Sequence, residues 1–69
     1  MRYATIIEKM PNNYSAYVPD LPGCVATGTS IEEISAEIQS AILFHLEGLH
    51  LECLPIPEPT TICEYIEAA

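Results

Sequence analysis

Apolar and polar positions change their period twice along the chain. Tyr3 to Glu8 is rich in Tyr, Thr and Ile, residue types that suit a pleated surface, and it predicts a strand. Pro11-Asn12-Asn13 is a turn signal. From Tyr14 to Val18 the period is two: Tyr14, Ala16 and Val18 face one side, Ser15 and Tyr17 the other. This predicts a second strand paired with the first in a hairpin. Pro19-Asp20-Leu21-Pro22-Gly23 breaks the pattern, because its prolines have no N–H to give to a ladder. Cys24 to Thr27 then reads as a short third strand, closed by Gly28.

After Ser30 the period changes to that of a helix. Placed on a helical wheel, Ile31, Ile34, Ile38, Ala41, Ile42, His45, Leu46 and Leu49 share an arc of roughly 140°. Glu33, Glu37, Ser40 and Glu47 lie opposite. Ser30 and Glu33 have capping-box spacing, with Ser30 accepting from the Glu33 N–H and Glu33 reaching back to the N–H of Ser30. Glu32 and Glu33 also suit the positive end of the helix dipole. A helix is expected from about Ile31 to Leu51, with one apolar face on the sheet and a carboxylate face in water.

Pro55, Pro57 and Pro59, at every second residue, force an extended linker. Thr60 to Ile66 alternates again, Thr61, Cys63 and Tyr65 against Ile62, Glu64 and Ile66, and predicts a last strand returning to the sheet edge. The expected fold is therefore α+β, in the order β-β-β-α-β. It is an antiparallel three-stranded sheet with one long packed helix and a C-terminal edge strand, in a single domain over residues 1–69.

Composition narrows the function. A 69-residue chain buries only about 60% of its unfolded surface, so extra burial is usually supplied by a staple or a second subunit. Cys24, Cys53 and Cys63 are odd in number and lack C-x-x-C spacing, which argues against a disulfide framework or a structural zinc. There is no signal-peptide pattern and no run near the ~18 apolar residues of a membrane span. A reducing, cytoplasmic setting fits, and self-association as a homodimer or higher homo-oligomer is the remaining source of burial. Ten acidic residues face only Arg2 and Lys9, a net charge of −8. That charge disfavours direct contact with nucleic acid and favours encounter with a basic partner.

From Tyr14 to Pro59 the chain resembles the HicB-type antitoxin domain. The matching residues are Tyr14-Ser-Ala-Tyr-Val-Pro-Asp20-Leu-Pro-Gly-Cys24, then Gly28, then Ser30-Ile-Glu-Glu33 at the helix start, then Pro55-Ile-Pro-Glu-Pro59. The resemblance implies the same sheet, helix and further strand, and an antitoxin that binds and masks a HicA-type toxin, a small basic ribonuclease that cleaves messenger RNA. Two departures from the family pattern stand out. Up to Ala69 there is no room for the C-terminal helix-turn-helix or ribbon-helix-helix domain of many members, which leaves operator binding outside the expected contacts. Glu52-Cys53 stands where the family often has an acidic residue followed by Gly, so a different helix end is expected.

No catalytic residue, cofactor or metal ligand is expected. Cys24 with His45 or His50 lacks the base and orienting group of a thiol nucleophile. His45 and His50 are five apart and do not share a helix face, so a site with Cys53 is disfavoured. No acidic cluster of a metal-dependent nuclease occurs. Glu33 and Glu37 read as a solvated face. Pro22 and Gly23 read as turn architecture. Asp20, Glu37 and Glu47 are the candidates for partner binding. Leu43 and Phe44 fall outside the apolar arc, at about 120° and 220°, and are the candidate oligomer contacts. The competing reading is an orphan oligomeric scaffold of the same fold with no toxin partner.

Overall fold

Three short strands precede one long helix in the computed structural model, which describes residues 1–69. Strand β1 spans Ile6–Lys9, β2 Tyr14–Tyr17, β3 Val25–Gly28, and helix α1 Ile31–Leu51. The sheet is antiparallel in the order β1-β2-β3. Its register pairs Ile7 with Ala16 and Ala16 with Ala26 on one face, and Ile6 with Tyr17 and Tyr17 with Val25 on the other.

Each connection uses the turn chemistry present in the sequence. The Met10 N–H donates to the Asn13 carbonyl at 2.8 Å and closes the first hairpin. Across the proline-rich block, Val18 donates to Cys24, Leu21 to Val18 and Cys24 to Leu21, all within 3.0–3.1 Å. Gly23 takes a left-handed φ of 85° there, a conformation that glycine adopts without a Cβ penalty. The block thereby turns Leu21 inward, where it is fully buried.

The core is small: Ala16, Val18, Leu21, Cys24, Ile34 and Ile38. The helix lies mainly on β3 and β2. It approaches β3 so closely that a Cβ on Gly28 would stand 2.9 Å from the Ile34 backbone nitrogen. Twenty-one helical residues span ~31 Å, whereas four-residue strands span only ~13 Å. The second half of α1 therefore overhangs the sheet. Ile34 and Ile38 are buried, while Ala41, Ile42 and Leu46 of the same arc are only half-buried.

Both helix ends differ from expectation in one detail. Ser30 caps the start, its Oγ accepting from the Glu33 N–H at 3.0 Å. The reciprocal half of the capping box is not formed, because Thr29 Oγ1 donates to Glu33 Oε2 at 2.6 Å. At the other end, Leu54 N–H donates to the Leu49 carbonyl and Cys53 N–H to the His50 carbonyl. This is the paired closure usually built around a left-handed glycine, and here Cys53 occupies that position at φ 57°. A side chain there costs about 1 kcal/mol. Cys53→Gly should therefore raise stability by about that amount, seen as a Tm increase of roughly 4–8 °C in thermal denaturation.

The expected C-terminal strand is not formed. Residues 55–69 carry no strand and make no backbone–backbone hydrogen bond with the sheet. The alternation of Thr60 to Ile66 is suited to a strand, but the N–H groups that would open the ladder go elsewhere. Thr60 and Thr61 both donate to the Asp20 carboxylate. The tail runs beside β1 across an open groove of about 390 Å³, with Thr5, Ile6 and Ile7 on one bank and residues 61–65 on the other.

Candidate partner-binding surface

Asp20 sits where β2 leaves the sheet, between the two prolines of the block. Its Oδ2 accepts from the N–H groups of Thr60 and Thr61, each at 3.0 Å. Its Oδ1 accepts from their hydroxyls, at 3.1 and 2.8 Å. Those donors, led by the Thr61 backbone and hydroxyl, hold the carboxyl below the usual carboxylate range. Tyr3 adds a second tie, its hydroxyl donating to the Pro57 carbonyl at 2.6 Å. Desolvation, then the nearby charges of Glu58 and Asp20, push its phenol up. Both Asp20 oxygens are thus engaged within the chain, and this aspartate positions the tail.

A lowered folded-state pKa means that the tie is complete above the ordinary carboxylate range and is lost as pH falls through the folded value. The Thr60 and Thr61 amide resonances should move towards random-coil positions on acidification, and a pH titration by NMR reads this directly. Asp20→Asn should do the same at neutral pH, since an amide offers one acceptor and one donor in place of two acceptors. The Ile34 amide inside the helix serves as the unmoved reference.

Glu37 and Glu47 stand on the outward side of α1, together with Phe44. Phe44 is 80% exposed, Leu43 62% and Leu51 73%. Along the helix, Glu33, Glu37, Ser40, Phe44, Glu47 and Leu51 recur at spacings of three and four and form one stripe. The helix carries four glutamates and no lysine or arginine. Four of the five residues named from sequence as contact candidates therefore share one helix, and Asp20 stands apart in the loop.

Sequence reasoning did not single out the outer face of the sheet. There Ile6, Tyr17 and Val25 form a cross-strand apolar row, with Tyr17 and Val25 exposed. Their pairing follows from the register, and the alternation of Tyr14 to Val18 already placed Tyr17 on the side away from the core.

The Cys24 thiol is buried, and desolvation pushes its pKa up, which lowers its nucleophilicity. All three cysteines are free thiols. No three His, Cys, Asp or Glu side chains converge as a metal site would require. No helix is long and apolar enough to cross a membrane.

Residues 3–69 match the family described as HicB_like antitoxin of bacterial toxin-antitoxin system. A solved structure, the HicA3 and HicB3 toxin-antitoxin complex, contains a chain that superposes with a TM-score of 0.75 at 32% identity, over 87% of this chain and 70% of that one. An uncharacterized 14.9 kDa protein in the rep-hol intergenic region of Haemophilus phage HP1 is 36% identical over 66 residues. That alignment takes in 96% of this chain and 50% of the phage protein, so the chain spans half of that relative's length. A UPF0150 protein of Helicobacter pylori is 45% identical over 47 residues, 68% of this chain and 65% of its own. An α+β sheet-and-helix domain of this kind belongs, with the whole of its core, to the HicB-like antitoxins of bacterial toxin-antitoxin systems.

Proposed function

We propose that this chain neutralises a HicA-type toxin, a basic RNA-cleaving protein, by binding it and covering its RNA-gripping surface. The observation that carries the reading is the fold match to a chain of a toxin-antitoxin complex. The net charge of −8 supports it independently. A protein that grips RNA presents cations, and an acidic partner both speeds the encounter and occupies those cations. The same charge keeps this chain itself off RNA. Three free thiols suit action in the reducing cytoplasm.

The test is co-expression with the HicA-type protein of the neighbouring reading frame. The two proteins should co-purify, and the toxin's cleavage of messenger RNA should fall as this chain is titrated in. If cleavage continues unchanged at saturating amounts of this chain, the proposal fails. A gene neighbourhood that encodes no such protein would favour the orphan-scaffold reading instead.

A further inference from the structure

Resting on that reading, we infer that the outward face of the second half of α1 is the surface that receives the basic partner, with Phe44 as its central anchor. The sheet holds the helix by its opposite side, through Ile34 and Ile38. It is closed at both ends, by Ser30 and by the hydrogen bonds around Cys53. The overhanging half therefore presents its side chains from a fixed backbone, and docking there costs little backbone ordering.

Phe44 is the one phenylalanine of the chain and stands 80% exposed. Leu43 precedes it in the chain and Leu51 lies two turns further along the stripe, and both are exposed. Glu37 lies two turns before it and Glu47 one turn after, with Ser40 between. An aromatic centre with a charged and polar rim is the composition of a binding hot spot. From Glu37 to Leu51 the stripe runs ~21 Å, a span suited to one side of a standard interface of about 800 Å² per partner.

Charge decides between the two occupants such a face could take. A second copy packed helix on helix through the same stripe would add its glutamates to those of the first, with no lysine or arginine on either helix to offset them. A basic partner meets both carboxylates with opposite charge and can lay an arginine guanidinium over the Phe44 ring. On this inference Leu43 and Phe44, the candidate oligomer contacts, face a basic protein in place of a second copy.

The experiment measures binding of the neighbouring HicA-type protein to the full chain by calorimetry at two salt concentrations. Phe44→Ala should weaken binding by about 30-fold or more, as expected for a hot-spot residue. The double variant Glu37→Lys, Glu47→Lys should weaken it and flatten its salt dependence. Tyr17→Ala with Val25→Ala, on the outer face of the sheet, should bind like the wild type. Circular dichroism of each variant confirms the fold. Wild-type affinity in both helix variants overturns the inference and leaves the antitoxin reading standing. Loss confined to the sheet variant does the same. A change in self-association with Phe44→Ala, without loss of binding, shows a second copy on this face and also overturns it. Failure of the wild-type chain to bind overturns the antitoxin reading, and the inference with it.

Discussion

Leu21→Ala is expected to destabilise the chain by about 2–5 kcal/mol, out of a total of roughly 3–10 kcal/mol for a domain of this size. Leu21 is 0% exposed and lies among the six core residues. Its backbone is held on both sides, by its own N–H to Val18 and by Cys24 N–H to its carbonyl. Pro19, Pro22 and the left-handed Gly23 restrict the rest of the loop. The loop therefore cannot collapse into the space left by the missing side chain, and the cavity term adds to the lost transfer energy. Urea denaturation should show a large drop in midpoint, with a population already unfolded in buffer. Leu43→Ala, at a 62% exposed site, should shift stability by less than about 0.5 kcal/mol. Equal midpoints for the two variants would contradict this account of the core.

Gly28→Ala should cost about 1–3 kcal/mol. The added Cβ would lie 2.9 Å from the Ile34 nitrogen, 3.1 Å from its Cα and 3.3 Å from the Glu33 carbonyl carbon. All three are backbone atoms, so no side chain can rotate away. Relief requires the first turn of α1 to lift from β3, which loosens the packing of Ile34 and disturbs the Ser30 cap. Gly48 makes the informative comparison. It lies within α1 itself, and an added Cβ there meets nothing within 4 Å. Gly48→Ala should stabilise by about 0.5–1 kcal/mol through helix propensity alone. The same substitution at two glycines is expected to move the thermal midpoint in opposite directions.

The elements governed by local chemistry were legible in the sequence. The arc containing Ile34 and Ile38, the Ser30 cap and the alternation of Tyr14 to Val18 all depend on residues within a turn or two of one another. The three-stranded sheet and α1 followed from them. What escaped depends on contacts between distant residues. Thr60 to Ile66 has the right pattern for a strand, but pattern does not reveal that Asp20, forty residues earlier, competes for its first two N–H groups. The proline-rich block was readable as a rigid crossing, whereas the burial of Leu21 required the direction of that crossing. The capping-box spacing points the Glu33 carboxylate at the Ser30 N–H, but it accepts from the Thr29 hydroxyl at 2.6 Å. At Cys53 the sequence lacks the customary glycine, yet the backbone adopts the left-handed closure all the same. The contact candidates were found by their distance from the apolar arc, a local property. Asp20 was found by its place in a loop, and its two oxygens proved to be occupied.

The ties of Asp20 and Tyr3 to the tail have a kinetic consequence. Each strand pairs with its neighbour in sequence, whereas these ties close loops of 40 to 54 residues. Closing a loop that long is entropically unfavourable, and the tail finds its acceptors only after the block around Leu21 has taken shape. The tail is therefore expected to dock after the rate-limiting step. Asp20→Asn should leave the refolding arm of a chevron plot unchanged and speed unfolding alone, while Leu21→Ala should slow refolding as well.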